Sequence, residues 1–316
     1  MIKLKVGTRG SRLAVAQTQI VLDKLRKRNP SIGFEAVTIR TKGDVDRRPL
    51  FTIDEKGIFE KDVNEAVISR EVDFAVHSLK DIPSELSDKL TIASIPKRAT
   101  PNDVLVNGKK IKFIDLPSSS VIGTCSLRRA IQVMRKRPDL CIKPIRGNVE
   151  TRVKKSMTGE YDSLILAEAG LTRLNMREAI VERFSIKDFL PSPGQGAIAI
   201  VCRKDDRELI KILKGIEDAR TRAEINAERS MLQEIEGGCR FPVGTCAVSS
   251  RDESKITLYA NVFSADGTKS IKVKETGSSR EPKRLGIAVA NLLIKSGTMK
   301  LVDGWHEAVQ KWNNGL

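Results

Sequence analysis

The sequence predicts an α/β protein of three domains, in which two α/β domains are followed by a smaller α+β domain at the C-terminus. Short apolar strands alternate with helical segments through about the first two-thirds of the chain, a pattern typical of layered α/β domains. From about residue 218 the pattern changes to two alternating strands and one amphipathic helix. The length of 316 residues is enough for two or three domains, each with its own core.

The first strand is predicted at residues 1–7, where apolar and polar residues alternate, and helical spacing follows from Leu13 onward. Ser11 precedes that spacing at the position of a helix N-cap. The remaining elements are predicted in chain order as strand 38–41, helix 59–69, strand 73–77, strand 121–122, strand 164–167, strand 197–202, strands 257–263 and 270–274, and a helix with Leu285, Ala288, Val289 and Leu292 on its apolar face.

Two linker-like stretches, residues 97–102 and 190–196, flank about ninety residues, which is enough for a small inserted domain. The strand at 197–202 would then return to the first domain. We therefore predict that domain 1 comprises residues 1–98 plus 197–216, that domain 2 spans 102–190, and that domain 3 spans 218–316. Ligands of paired α/β domains bind in the cleft between them, so we expect the site there.

Composition excludes several classes of protein. A content of 40% hydrophobic and 30% charged residues is typical of a soluble globular chain, and no apolar run approaches the roughly 18 residues of a membrane span. With no signal-like N-terminus, we expect a cytoplasmic protein. Five cysteines without a Cys-x-x-Cys pair and only two histidines predict no disulfide framework, no metal site and no Ser-His-Asp triad.

The net charge of +16 predicts an anionic partner, which could be nucleic acid, a membrane surface or an acidic small molecule. An aromatic content of only 4% argues against platforms on which bases stack. The positions of the arginines are more informative than their number, because guanidinium groups on turns can hold planar carboxylates or phosphates bidentately. Such arginines are Arg9, Arg12, Arg128, Arg129 and Arg146, with Arg152 one turn into a helix that Asn148 could cap.

Two of these arginine-bearing turns resemble each other, at residues 6–14 and 122–130, and each joins a strand to a helix. Ser11 and Ser126 stand as N-caps in the two copies. Backbone N–H groups at helix starts bind anions, so the pair predicts a ligand with several carboxylates. Plain helix capping is the alternative explanation.

A strand-end cluster follows the apolar residues 74–76. The strand delivers Ser78, Lys80 and Asp81 into a turn closed by Pro83, where α/β folds often carry functional groups. Asp81 could act as a general acid or base or stabilise a developing cation, and Lys80 could bind an anion. The alternative is a surface ion pair, and His77 is interpreted as structural.

Cys239 lies in the stretch Gly237-Gly238-Cys239-Arg240-Phe241-Pro242, which predicts a tight and stiffened turn. A thiol beside an arginine on a loop is a candidate low-pKa nucleophile or covalent attachment point. A packed cysteine beside an ordinary turn is the alternative.

Taken in order, these motifs resemble those of the porphobilinogen deaminase (hydroxymethylbilane synthase) family, and the resemblance spans essentially the whole chain. The matching stretches are Gly7-Thr8-Arg9-Gly10-Ser11-Arg12-Leu13-Ala14, Lys56-Gly57-Ile58-Phe59, His77-Ser78-Leu79-Lys80-Asp81, Gly123-Thr124-Cys125-Ser126-Leu127-Arg128-Arg129, Ile145-Arg146-Gly147-Asn148, Pro193-Gly194-Gln195-Gly196 and Gly237-Gly238-Cys239. The chain departs from the family pattern at Thr52 and at Asp54-Glu55, in a region that covers the site in relatives, and at Arg240-Phe241.

The resemblance implies two periplasmic-binding-protein-like α/β domains with mixed sheets, a third domain that carries the cofactor cysteine, and a transferase of tetrapyrrole biosynthesis. Such an enzyme joins four porphobilinogen molecules on a dipyrromethane cofactor held as a thioether by Cys239, with Asp81 as the catalytic residue. The implied cofactor-binding residues are Lys80, Asp81, Thr124, Ser126, Arg128, Arg129, Arg146 and Gly147. The implied substrate-binding residues are Arg9, Ser11, Arg12, Lys56, Phe59, Arg146, Arg152 and Gln195.

We expect a monomer that acts on a small-molecule substrate, without a nucleic-acid, membrane or metal partner. A non-enzymatic anion-binding protein of the paired α/β class would explain the arginines but leaves Cys239 and the third domain without a role. A basic nucleic-acid-binding protein would explain the charge of +16 but not the arginines on turns or the few aromatics.

Overall fold

The computed structural model describes residues 3–41, 60–235, 243–264 and 266–302. These residues form two compact units. Unit 1 contains residues 3–41, 60–99 and 194–222, and unit 2 contains the described residues from 100 to 193 and from 223 onward. The three-domain division remains a prediction. Within the described ranges no helix is long and apolar enough to cross a membrane.

The strands of the described residues belong to three sheets. In chain order they are β1 (Lys3–Arg9), β2 (Gly33–Ile39), β3 (Phe74–Ser78), β4 (Leu90–Ser94), β5 (Asp103–Val106), β6 (Val121–Gly123), β7 (Cys141–Lys143), β8 (Ser163–Ala167), β9 (Ile180–Arg183), β10 (Ile198–Arg203), β11 (Val243–Ser249), β12 (Lys255–Phe263) and β13 (Ser270–Ser278).

The helices of the same residues are α1 (Arg12–Arg28), α2 (Lys61–Ile68), α3 (Leu127–Lys136), α4 (Val149–Met157), α5 (Glu168–Arg173), α6 (Arg207–Lys214), α7 (Ala219–Ile235), α8 (Pro282–Lys295) and α9 (Thr298–Leu301). Single turns of 3₁₀ helix lie at Leu79–Asp81, Phe113–Asp115 and Arg177–Ala179.

The sheet of unit 1 has the strand order β2-β1-β3-β10-β4. Strand β1 is parallel to β2 and β3, whereas β10 is antiparallel to both β3 and β4. The apolar face is covered by α1 and α6, since Leu22 and Leu209 pack into one core with Phe74 and Ile200. Because β1 and β3 are parallel, their carboxyl ends lie at the same edge of this sheet.

The larger sheet of unit 2 repeats that plan with the order β7-β6-β8-β5-β9. Strand β6 is parallel to β7 and β8, and β5 is antiparallel to β8 and β9. In each large sheet four strands therefore run in one direction, and the strand in the fourth position runs antiparallel to them. The predicted pair of mixed α/β sheets is confirmed.

The third sheet is the antiparallel meander β11-β12-β13, and helices α7 and α8 share its core. The predicted apolar face of α8 is partly wrong. Leu292 is 39% exposed and Ala288 is exposed too, whereas Leu293 is fully buried beside Leu285 and Val289. The face that packs repeats every four residues, and a helix brings positions i, i+4 and i+8 onto one side. The α+β character of the segment is confirmed.

Candidate functional site

In unit 1, the first arginine-bearing turn joins β1 to α1. Arg9 ends β1, and Arg12 begins α1 and is exposed. Ser11 Oγ accepts a hydrogen bond from the Ala14 N–H at 3.3 Å, so the predicted N-cap is confirmed. No acidic residue stands in the first turn of α1. The positive end of the helix dipole therefore adds to the charge of both arginines, which favours an anion here.

The strand-end cluster lies one strand away in the same sheet. Ser78 ends β3 and accepts a hydrogen bond from Gln17 Nε2 of α1 at 2.8 Å. Lys80 is exposed and Asp81 is half-buried in the 3₁₀ turn that follows. In the described ranges of the chain, the Asp81 carboxylate makes no hydrogen bond or ion pair. The predicted interpretation as a surface ion pair therefore has no support there, and the carboxylate is available to a ligand.

The Pro193–Gly196 motif packs against the turn that carries Asp81. Gly194 has φ +71°, and a Cβ on it would lie 2.2 Å from Leu79 Cδ2. The Leu79 N–H donates to the Ala197 carbonyl at 3.1 Å. Gln195 is fully buried, and its carbonyl accepts from Arg98 Nε at 2.8 Å. The motif thus holds the 3₁₀ turn in place, and substrate contact by Gln195 remains a prediction.

A buried polar chain behind β3 was missed by sequence reasoning. His77 is 5% exposed, and its Nε2 lies 3.1 Å from Asn64 Oδ1 on α2. Asn64 Nδ2 in turn donates to the Glu60 carboxylate. Burial raises the pKa of Glu60 to about 7. Burial, and then the charge of Arg9, lower the pKa of His77 to about 4. His77 is therefore neutral at ordinary pH, in line with its predicted structural role.

In unit 2, the second arginine-bearing turn joins β6 to α3. Ser126 stands at the N-cap position with an extended backbone, but its side chain makes no capping hydrogen bond. Instead the Ser126 N–H donates to Thr124 Oγ1 at 3.1 Å. Thr124 is buried, and its own N–H donates to the Lys143 carbonyl of β7 at 2.9 Å. The Ser126 hydroxyl is thus not used in capping the helix.

Arg128 and Arg129 are buried at the start of α3 and share one carboxylate, that of Asp103 at the start of β5. Arg128 Nη1 donates to Asp103 Oδ2 at 2.7 Å. Arg129 donates to Asp103 Oδ1 from Nε at 3.0 Å and from Nη2 at 2.7 Å. Burial lowers the pKa of Arg128, and the Asp103 carboxylate opposes that shift. Sequence reasoning anticipated both arginines but not the carboxylate that holds them.

Arg146, Gly147 and Arg152 lie around the start of α4. Asn148 Oδ1 accepts from the Thr151 N–H at 2.9 Å, so the predicted cap is confirmed. Gly147 has φ +115°, and its carbonyl accepts from Arg152 Nε at 2.7 Å. Burial lowers the pKa of Arg152, the Cys125 thiol opposes this, and the charges of Arg129 and Arg146 lower it further. The positive charges of Arg129 and Arg146 therefore reach the Arg152 guanidinium, which favours an anion close to Arg152.

Arg173 is a further, half-buried cation that sequence reasoning missed. It ends α5, the helix that follows β8, and burial lowers its pKa to about 10. The sequence analysis selected arginines on or beside glycine and serine turns, and Arg173 stands in a helix between Thr172 and Leu174. Its position soon after an apolar strand is the signal that could have indicated it.

Several predicted residues lie outside the described residues. These are Cys239, the predicted attachment point, Lys56 and Phe59 of the predicted substrate set, and the departures from the family pattern at Thr52 and Asp54-Glu55. For the ranges that are described, no cluster of three or more His, Cys, Asp or Glu side chains could hold a metal ion.

Two protein-family models match this chain. Residues 4–211 match the family model of the porphobilinogen deaminase dipyrromethane cofactor binding domain, and residues 222–295 match that of the porphobilinogen deaminase C-terminal domain. The chain belongs to the porphobilinogen deaminase family. Members of this family are transferases, so the predictions of family and enzyme class are confirmed.

Curated porphobilinogen deaminases match the chain over nearly its whole length. A probable porphobilinogen deaminase of Nitrosopumilus maritimus is 52% identical over 312 residues, covering 99% of each chain. The porphobilinogen deaminase of Brevibacillus brevis is 44% identical over 298 residues, covering 94% of this chain and 96% of its own. That of Bacillus subtilis is 41% identical over 306 residues, covering 96% of each chain.

The residues of unit 2 fit the dipyrromethane cofactor that the family description names. A dipyrromethane made from porphobilinogen carries several carboxylates, and the Arg129, Arg146 and Arg152 guanidinium groups form a concentrated positive charge partly shielded from water. The Ser126 hydroxyl, which makes no capping hydrogen bond, adds a neutral donor at the start of α3. This part of the porphobilinogen deaminase fold therefore suits a small polycarboxylate.

Proposed function

We propose that this chain is a hydroxymethylbilane synthase of porphyrin, and hence heme, biosynthesis. It joins four porphobilinogen molecules head to tail, releases ammonia at each addition, and frees the linear tetrapyrrole 1-hydroxymethylbilane by addition of water. The observation that carries this proposal is that the chain contains both a carboxylate suited to catalysis and a group of arginines suited to a polycarboxylate ligand. In unit 1 the Asp81 carboxylate lies just after a strand end and has no polar partner among the described residues, and in unit 2 the charges of Arg129 and Arg146 act on Arg152.

Asp81 is the proposed catalytic residue. Loss of ammonia from porphobilinogen leaves a delocalised cation on the pyrrole, so a fixed carboxylate beside it stabilises the transition state. The same oxygen atoms can accept the proton that the receiving pyrrole ring must lose. The half-buried 3₁₀ turn supports this role, since the packing of Leu79 against Gly194 constrains the backbone that carries Asp81.

The arginines are proposed to hold the acidic side chains of the pyrroles. Each added pyrrole brings one acetate and one propionate, so a growing chain needs many cationic partners. We assign the residues that hold the cofactor and the growing chain in unit 2 as Thr124, Ser126, Arg128, Arg129, Arg146, Gly147 and Arg152. In unit 1 we assign Arg9, Ser11, Arg12, Lys80 and Gln195 to substrate or cofactor, and in the residues not described we assign Lys56 and Phe59 to substrate.

Cys239 is the proposed thioether anchor of the cofactor. When bound, the dipyrromethane supplies the primer to which new pyrrole units are added. A covalent anchor keeps the reacting end at high effective concentration through repeated additions. We also propose that the enzyme is a cytoplasmic monomer, for which a single species of the chain mass of 35.0 kDa is the expected result in light scattering.

Intact-mass measurement tests the proposed function. The purified protein should exceed its chain mass by two pyrrole units and should gain further units transiently when porphobilinogen is added. Cys239→Ala should lack the excess, whereas Cys141→Ala, which changes an exposed thiol on β7, should keep it. A protein that shows the bare chain mass before and after porphobilinogen would overturn the proposal and favour a non-enzymatic anion-binding protein.

A further inference from the structure

Asp103 has a position that no catalytic role explains. It is fully buried at the start of β5, yet each of its two oxygens is used by a different arginine of α3. Burying a carboxylate is costly unless its oxygens accept strong hydrogen bonds, and here they accept three charge-assisted ones. The group of one carboxylate and two guanidinium groups carries a net charge of +1.

The two arginines are not equivalent in this arrangement. Arg129 has each of its guanidinium nitrogens committed to protein, since Nε and Nη2 donate to Asp103 and Nη1 donates to the Ile165 carbonyl at 3.0 Å. Its hydrogen bonds tie α3 to β5 and β8. Arg129 is thereby held as a fixed support within unit 2.

In Arg128, by contrast, Nε and Nη1 donate to the protein, and Nη2 is the nitrogen that can bind a ligand. Its Nη1 donates to Asp103 and to the Leu190 carbonyl at 2.6 Å, and its Nε donates to Ser192 Oγ at 3.1 Å. Within the described part of the chain, Nη2 has no hydrogen-bond partner. A guanidinium is planar, so fixing Nε and Nη1 also fixes the direction in which Nη2 points.

We propose that Asp103 is a positioning residue, which holds the Arg128 guanidinium so that Nη2 is presented to one carboxylate of the pyrrole ligand. The inference rests on the proposed function, in which Arg128 binds the cofactor or the growing chain. Asp103 itself touches no ligand. It also holds Arg129, but its proposed effect on ligand binding is exerted through Arg128, whose Nη2 it positions. Pre-positioning of this kind lowers the conformational entropy that the ligand would otherwise have to remove from a long side chain.

A double-mutant cycle on the holoenzyme tests the proposal. Asp103→Asn replaces one acceptor oxygen by an NH₂ group that cannot accept a hydrogen bond from a guanidinium. The Arg128 guanidinium then loses its fixed orientation. We expect the KM for porphobilinogen to rise about tenfold, the effect of one lost charge-assisted hydrogen bond, with a smaller change in kcat. In an Arg128→Lys background, Asp103→Asn should change KM by less than about twofold, because the residue through which it acts is already gone.

Two further variants make the result decisive. Asp139→Asn is the matched control, since Asp139 accepts from Arg137 Nε at 2.8 Å and from Nη2 at 2.6 Å elsewhere in unit 2. It should leave KM unchanged. If Asp103→Asn does not fold, Asp103→Glu keeps the charge but moves the carboxylate by one methylene, and it should raise KM at a nearly unchanged Tm.

Additive effects of Asp103→Asn and Arg128→Lys on KM would overturn the proposal and leave Asp103 as a structural ion pair. A folded Asp103→Glu with the KM of the unsubstituted enzyme would also overturn it. Failure of the proposed function looks different, because the unsubstituted protein would then show neither the mass of two pyrrole units nor turnover.

Discussion

Asn64 Oδ1 and His77 Nε2 lie 3.1 Å apart, and this contact indicates which nitrogen of the imidazole carries the proton. An amide oxygen can only accept a hydrogen bond, so Nε2 must carry the proton. The other side of the same amide donates to Glu60, which lies directly before α2. A neutral histidine and a carboxyl group of raised pKa are therefore joined through one asparagine behind the strand that leads to Asp81.

Glu60→Gln should make the protein more stable at alkaline pH. Burial raises the pKa of Glu60 from 4.5 to about 7, so the folded state binds the proton more tightly than the unfolded state. This contribution to the free energy of unfolding is complete below pH 4.5 and is lost as the pH rises through 7. It amounts to about 3 kcal/mol at most. In urea unfolding, the free energy of unfolding of the variant relative to that of the unsubstituted protein should be larger at pH 8.5 than at pH 4.5.

Glu160→Gln is the control for this measurement, because Glu160 is exposed and pairs with Lys155 at the surface. The effect of Glu160→Gln on the free energy of unfolding should vary by no more than about 1 kcal/mol between the two pH values, because a surface ion pair contributes little to stability. A Glu60→Gln difference that is equally constant would show that Glu60 is not buried as described.

His77→Gln should make the protein less sensitive to acid. The pKa of His77 is lowered from 6.5 to about 4, so its contribution to stability is present above pH 6.5 and is lost as the pH falls through 4. The glutamine amide can still donate to Asn64 but does not titrate. The free energy of unfolding of the variant, taken relative to that of the unsubstituted protein, should therefore be up to about 3 kcal/mol higher at pH 4 than at pH 7. Parallel stability curves for the two proteins would contradict this prediction.

Asp81→Ala should bind the cofactor and the substrate yet nearly abolish turnover. Removal of the carboxylate takes away the stabilisation of the developing cation, and we expect kcat to fall by a factor of about 10² to 10⁴. Intact mass should still show two attached pyrrole units. Asp88→Ala is the control, since Asp88 is exposed in the loop after the same turn. Full activity of Asp81→Ala would remove Asp81 from the mechanism.

Gly194→Ala should lower both stability and kcat, because the new Cβ would lie 2.2 Å from Leu79 Cδ2 and push the turn that carries Asp81. The expected loss of stability is about 1–3 kcal/mol, measured by thermal unfolding. Gly159→Ala is the matched control. Gly159 also has positive φ, +84°, but its added Cβ would meet nothing within 4 Å. If both variants lose the same stability and Gly194→Ala keeps full kcat, the turn does not depend on this packing.

Local features of the site could be predicted from the sequence, whereas its long-range contacts could not. Ser11 and Asn148 cap the helices that they precede, because a cap depends only on the next three residues. Arg128 and Arg129 were predicted as ligand residues from their turn. Their partner Asp103 is 25 residues from Arg128 and 26 from Arg129, on a strand whose position depends on the whole sheet.

The same reasoning explains the other differences. Glu60, Asn64 and His77 meet only because α2 packs against β3, and no spacing in the sequence indicates that contact. The apolar face of α8 was predicted one residue away from its true position. Leu292 and Leu293 are chemically identical, and only the direction from which the third sheet covers the helix distinguishes them.

The position of the fourth strand in each large sheet determines the order in which the two sheets can be completed during synthesis. The sheet of unit 1 needs β10 between β3 and β4, so it stays incomplete until residue 203 has emerged. The larger sheet of unit 2 uses only residues 103 to 183, so it can close earlier although it begins later in the chain. Among the described strands β4 pairs with β10 alone, so during synthesis β4 waits unpaired while the inserted sheet forms.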